Sequence, residues 1–552
     1  MRFTSLLLAW LLVLAPVQAS TKQGASEQPA DATDEQIVHL LNRLTMGARP
    51  GDIQKVRQIG IQKYIEMQLQ PSSIPESTIV IDQVQRTPQI SQPSADLMLV
   101  FFDQIRKLQA RQKGEDGGQQ PRQQAVQRPG QQQGQQSGQQ DQTAMAPLPQ
   151  LQIQEFGPGG NKLPQRQQGG GSPFRDGFQQ GVIKTRLVRA VESPRQLQEV
   201  MTDFWFNHFN VAMSKGMDRV LVGAYEEQAI RPYLMGNFRD LLGATMHHPA
   251  MMFYLDNAQN SKAGFKSLNP NDPKNGINEN YARELLELHT MGVDGGYTQK
   301  DVQELARVLT GWGMPPAMRK NLITDGGYGA FFDQRRHDFG DKVVLGQTIR
   351  GTGRDEIEQV LDMLARHPST ARHVSYQLAQ YFVADEPPKS LVDKLSTKFM
   401  QTRGNIKSVL VTLFSSTEFW DSQYRNCKFK NPYRYTISAL RATDMHLSDP
   451  GSALKIQLFL NQQGQPLYQC QTPDGYKNTR ETWLNPDGLM KRMEFATKLG
   501  QAQRRAQPLD YRWIQSTVNG GRLSLKTQQA IAAVPDYQKT AALIGSPEFM
   551  QY

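Results

Sequence analysis

The residues best equipped for chemistry in this chain are three side chains on apolar helical segments: His208 in WFNHF, and Glu284 and His289 in YARELLELHTM. Imidazole nitrogens and carboxylate oxygens are the ligands of zinc and other divalent metals, and the same groups serve as general acid and base. Asp256, which ends the run AMMFYL, and His337, at the head of HDFGDKVVLG, extend the set. If separate helices bring these residues together, His208, Glu284, His289, His337 and Asp256 form a metal site, with Glu284, His289 and His208 as its acid-base groups. The competing account is structural. A histidine on an apolar helix face is more often a packed, hydrogen-bonded core residue, and a buried carboxylate needs only a partner.

The elements that must position these groups centre on Asn278 to Trp312, two helices joined by a glycine turn. At about 100° per residue, Tyr281, Leu285 and Leu288 lie at the middle of the buried face of the first helix, and Arg283, Glu287 and Thr290 face out. Glu284 and His289 both turn inward but ~140° apart, so one helix does not present them to one ion. That differs from His-Glu-x-x-His, whose metal ligands sit one turn apart. Partners must come from elsewhere, with Arg307, Arg372, His208 and His337 as candidates. Gly292 ends the helix, and Thr298 with Asp301 opens the next as a capping box.

Upstream, Ser193, Pro194 and Gln196 have the order of a helix start, and Leu197, Met201, Phe204 and His208 form one stripe that turns His208 into the core. A helix from Asp34, a second over Asp52 to Leu69 broken at Gly60, and a third over Ala95 to Leu108 make up residues 20–110. Residues 173–552 read as the main helical body, with short strands near Lys342 to Leu345 and Gln347 to Ile349. The fold class is therefore mainly α: a large multi-helical domain with a small β element. Residues 111–172 are rich in Gln, Gly and Pro with few apolar side chains, the composition of a disordered insert.

The first residues, MRFTSLLLAWLLVLAPVQA, combine Arg2, an apolar run from Leu6 to about Val17 and small residues at Val17 and Ala19. This is the pattern of a signal peptide over 1–19, and the run is shorter than the roughly 20 residues of a spanning helix. It implies export to the periplasm or beyond, without a transmembrane anchor. In such a compartment Cys427 and Cys470 are an expected disulfide, adding ~3 to 4 kcal/mol by loop closure. The net charge of +10 suggests anionic partners, but the basic residues between Lys491 and Arg512 are mixed with acids and lack interleaved aromatics, which argues against nucleic acid. The aromatic loop containing Cys470, Gly475, Tyr476 and Trp483 has two uses: a platform for sugars, or anchors for the loop itself.

Several long motifs occur in a fixed order: WFNHF at 205–209, YLDN at 254–257, NENYARELLELHTMG at 278–292, YTQKDVQELARVLTGW at 297–312, HDFGDKVVLG at 337–346 and RHPSTARHV at 366–374. Together they resemble the bacterial domain-of-unknown-function 1800 (DUF1800) family, from about Val38 to SPEFM at 546–550. The resemblance implies a largely helical, exported protein, often encoded beside a second exported protein similar to a phosphatase or sulfatase, and implies no settled activity. Two functions arise as expectations: a binding or scaffolding protein acting with that partner, or a divalent-metal-dependent enzyme built on the inter-helix His/Glu site.

Overall fold

The structure, a computed structural model, describes residues 33–116, 173–266, 276–314, 330–447, 451–506 and 510–552. The expected signal peptide at 1–19 lies outside them, as does all of the expected disordered insert beyond residue 116. Residues 111–116 instead continue the helix Ser94–Asp116. The described chain is mainly α-helical, with two small antiparallel ribbons: Trp312–Gly313 against Phe331–Phe332, and Lys342–Val344 against Gln347–Ile349, with Lys342 opposite Ile349. No described helix is long and apolar enough to cross a membrane.

The first helix, Asp34–Leu44, is capped by Thr33 in a full capping box with Gln36. Every residue from Ile37 to Leu44 is buried, so the helix is covered on all sides beyond its first turn, and it packs on the C-terminal half. His39 Nε2 lies 2.8 Å from the Phe419 carbonyl, and Arg434 donates to the carbonyls of Asn42 and Thr45 at 2.5 and 2.7 Å. Asp52–Ile59 and Ile61–Gln68 are separate helices, divided at Gly60, whose φ of 84° breaks the helical run. The chain end closes the same face, where Lys428 and Tyr552 exchange backbone hydrogen bonds.

Two segments depart from α geometry. The helix Asp218–Tyr225 runs on into a π turn, Glu226–Ile230, and the helix Asn280–Leu286 runs into another, Glu287–Met291. A π turn accommodates one extra residue and re-aims the side chains beyond it. Thr290, expected to face out, is fully buried, and its Oγ1 donates to Leu285 O at 2.6 Å. Leu288, expected at the centre of the buried face, is only half-buried. A constant 100° step fails here because the winding changes at Glu287.

The helix expected from Ser193 begins at Gln196. Ser193 Oγ accepts from the Arg195 amide, and the Gln196 side chain reaches back to the carbonyls of Ser193 and Ala190 while accepting from Met46 N. Gln196 thus joins the first helix to this one rather than closing a capping box. The expected disulfide is not formed, since Cys427 and Cys470 are both free thiols. Cys427 Sγ sits 3.1 and 3.2 Å from the carbonyls of Tyr424 and Val383, whereas Cys470 lies against Thr472 on the loop that packs over Asn210. An even number of cysteines does not place two of them on facing segments, and here each thiol has its own neighbours.

Candidate functional site

The helix Gln196–His208 runs beneath a cavity of about 320 Å³, at the lower end of the ~300–1,000 Å³ of small-molecule sites. Its walls come from six segments of the chain. Arg186 belongs to the helix Pro173–Glu192; Asp203, Phe204, Asn207 and His208 lie along Gln196–His208; and Leu288 and Val293 belong to the second π turn and its exit. His373, Gln377 and Tyr381 come from Pro368–Phe382, Tyr433 from Pro432–Ala442, and Tyr468 to Asn478 from a loop.

His208 is buried and ringed by Trp205, Phe209, Phe204 and Phe238. Its Nε2 lies 3.1 Å from the carbonyl of His289, and His373 Nε2 lies 3.3 Å from the carbonyl of Leu288. A carbonyl only accepts, so each Nε2 carries its proton and each Nδ1 a lone pair. The two histidines therefore satisfy carbonyls of the π turn that carries His289. Burial, reinforced by His373, lowers the His208 pKa to about 3, so the ring stays neutral and is a poor proton acceptor for catalysis. Burial, with His208 and His373, also drives His289 well below its ordinary value. Gly292 permits this arrangement: its φ is 83°, and a Cβ there would stand 2.9 Å from His373 Nδ1.

Behind the opposite wall, burial works against the charge of Arg186, but its ion pair with Glu226 and its proximity to Tyr433, Tyr468 and Asp203 raise its pKa well above the ordinary value. Glu226, the first residue of the other π turn, also accepts from Arg231 Nε at 2.9 Å and from the Tyr468 hydroxyl at 2.8 Å. Arg231 in turn makes a two-pronged pair with Glu199, both contacts at 2.8 Å. Burial raises the Asp203 carboxyl, against the pull of Arg186 and of the Tyr381 hydroxyl, which donates to it at 3.1 Å. Despite this network, several lining residues keep buried polar atoms without a well-formed hydrogen bond: His208 Nδ1, Tyr433 Oη, Arg186 Nε, Asn478 Nδ2 and the Gln377 amide oxygen, with only loose interactions of His208 with Gln377 and of Tyr433 with Arg186. Each such atom costs ~1–3 kcal/mol if nothing ever satisfies it.

The loop wall is held by Asn207, whose amide donates to Tyr476 O at 2.9 Å and accepts from Tyr476 N at 2.8 Å. Both aromatic tips are tied as well, Tyr476 Oη to Pro466 O and Trp483 Nε1 to Lys477 O. Trp483 is thus an anchor, while the Tyr476 side lines the cavity. Gly475 allows the approach: its φ is 67°, and a Cβ there would collide with the Asn207 carbonyl oxygen. Gly475→Ala is expected to destabilise the protein by at least ~1–2 kcal/mol, the cost of a left-handed non-glycine residue alone. Chemical denaturation measures it, and an unchanged midpoint would mean that the loop does not need this contact.

Of the residues singled out from sequence, only His208 and His289 come together, with ring centroids 6.3 Å apart. Glu284 is half-buried near Glu287 and Asp474, its pKa pushed up to about 7 by burial and then by Glu287. Asp256 holds Lys215 at 3.0 Å. His337 is fully buried in a separate knot, bonded to Glu356 at 2.9 Å and to Thr310 O at 2.7 Å, with Lys342 on the other Glu356 oxygen at 2.6 Å. Arg307 pairs with Asp338 and Glu304, and Arg372 with Asp393. Among the described residues, no group of three or more His, Cys, Asp and Glu side chains is arranged to hold a metal ion. Asp256 and His337 are committed to ion pairs elsewhere, and His208, His289 and Glu284 do not by themselves make such a group.

A family model described as "Protein of unknown function (DUF1800)" matches residues 39–551. No curated protein and no solved structure matches the chain.

Proposed function

The chain belongs to the DUF1800 family, a family of unknown function, and from that premise we propose that it is an exported binding protein that holds a small polar ligand between Arg186, His208 and Tyr433. The observation that carries this is that Arg186, His208, Gln377, Tyr433 and Asn478, all around one cavity, keep buried polar atoms without a well-formed hydrogen bond. Isolated groups of that kind destabilise a fold, and a ligand that pairs with them accounts for their retention. The low pKa of His208 supports binding over proton transfer. Export rests on the sequence pattern of residues 1–19. Action beside another exported protein, similar to a phosphatase or sulfatase, rests on the family resemblance, with the Gln-rich segment as a candidate tether. A metal-dependent enzyme is the weaker account, since the described ligand candidates are dispersed.

Native mass spectrometry of full-length protein recovered from outside the cytoplasm tests the binding function. A bound small molecule is expected on the wild-type chain and is expected to be lost when Asn478→Trp fills the cavity. Wild-type protein that carries nothing, and gains no thermal stability from any extract of its growth medium, would overturn it. The mature N-terminus read in the same spectrum is expected at Ser20.

A further inference from the structure

We propose that the ligand of this cavity is a neutral saccharide, an assignment that rests on the binding function above and narrows it to one chemical class. The first support is charge. Every fixed charge on the cavity lining is already matched. Arg186 is paired with Glu226 and lies 3.3 Å from Asp203 Oδ1, and Lys477 holds Asp474 at 2.6 Å. The lining histidines, His208 and His373, are both shifted toward the neutral form. An anionic or cationic ligand would leave water and find no free counter-charge, which disfavours sulfate, phosphate, nucleotide and amine ligands.

The second support is the mixture of unmet hydrogen-bonding needs. His208 Nδ1 can only accept, because its Nε2 proton is committed to His289 O. Arg186 Nε and Asn478 Nδ2 can only donate, and Tyr433 Oη does both. A hydroxyl group donates and accepts at a single atom, so a ring carrying several hydroxyls meets such a set without a net charge. The third support is the surface between these groups. Phe204, Phe206 and Tyr468 line the same cavity, with Phe206 and Tyr468 edge to face at 5.0 Å. A saccharide presents C–H faces to aromatic carbon and hydroxyls at its rim, matching both parts of the wall. Amino acids and peptides share the hydrogen-bonding capacity but carry charges or a backbone lacking the hydroxyl rim.

An array of immobilised neutral, uronic-acid-bearing and sulfated oligosaccharides, probed with the full mature chain, tests the assignment. Retention on neutral glycans is expected, weakened about tenfold in Tyr433→Phe, the effect of removing one hydrogen bond of a desolvated pair. Tyr433 Oη makes no well-formed hydrogen bond in the protein and interacts only loosely with Arg186, so Tyr433→Phe is expected to fold with a melting temperature near that of the wild type, which separates lost binding from lost structure. Retention on acidic glycans alone, or on neutral glycans equally by both proteins, would overturn the saccharide. If no glycan is retained but native spectra still show a bound small molecule, the saccharide falls and the binding function stands. If neither is seen, both fall.

Discussion

Lowering the pH from 6.5 to 5 is expected to remove about 2 kcal/mol of folding stability, a sizeable part of the ~5–15 kcal/mol that a folded protein has. His39, His208 and His248 are pushed down to about 3 by burial, Arg43 adding to the effect at His39 and His373 at His208, and His289 lies well below 6.5. Each binds a proton on unfolding that it does not bind when folded. A histidine whose folded pKa is depressed contributes stability that is fully present above 6.5 and is lost as pH falls toward the folded value. Burial raises Asp218 and Asp203, and Glu284 to about 7, and a carboxyl raised in this way acts in the opposite direction. Glu284 counts for less because it is half-exposed. The balance is a net uptake of about one proton, or roughly 1.4 kcal/mol per pH unit. Urea titrations at pH 6.5, 6.0, 5.5 and 5.0 measure it. A flat profile would mean that these histidines are not neutral in the folded protein.

Glu226→Ala is expected to cost about 3–5 kcal/mol, the penalty for leaving buried charges without their partner. Glu226 sits between Arg186 and Arg231, accepts from Tyr468, and is buried with both arginines. Burial opposes its charge, but Arg186, Arg231 and Arg189 more than offset that and hold its pKa at about 2. Its contribution is therefore present above the ordinary 4.5 and is lost as pH falls through about 2, below the histidine window. The same substitution leaves Arg186 with only Asp203, so ligand retention is expected to fall with stability. Denaturant unfolding at pH 7 reads the energy. A loss under ~1 kcal/mol, the range of surface ion pairs, would mean that the network is not a buried unit.

The helices were legible where local chemistry decides them. Thr298 with Asp301 forms the capping box that the spacing announces, Gly60 divides two helices, and the short ribbon Lys342–Val344 with Gln347–Ile349 forms where the apolar pattern puts it. His208 and His289 were legible as inward-facing residues. The π turns were not, because an extra residue in a turn is accommodated by contacts from elsewhere and leaves no local signature. The cavity was largely illegible for a related reason: Tyr433 and Asn478 become neighbours of His208 only through the packing of distant segments. Arg186 did leave a sign. In GVIKTRLVRAV it sits among apolar residues that are buried, and a buried guanidinium requires a carboxylate such as Glu226. The disulfide failed on the same ground as the metal site, since residue type fixes what a side chain can bind and only packing fixes what it meets.

The turn Glu287–Met291 makes the number of residues between Tyr281 and Gly292 a functional quantity in its own right. Removing a single residue there would let the segment rewind as plain α-helix, with the carbonyls of Leu288 and His289 drawn back into the ladder and His208 and His373 left without acceptors. Composition and hydropathy would scarcely change. In a chain read alongside this one, the length of that interval therefore reports on the cavity wall as directly as the identity of any residue in it.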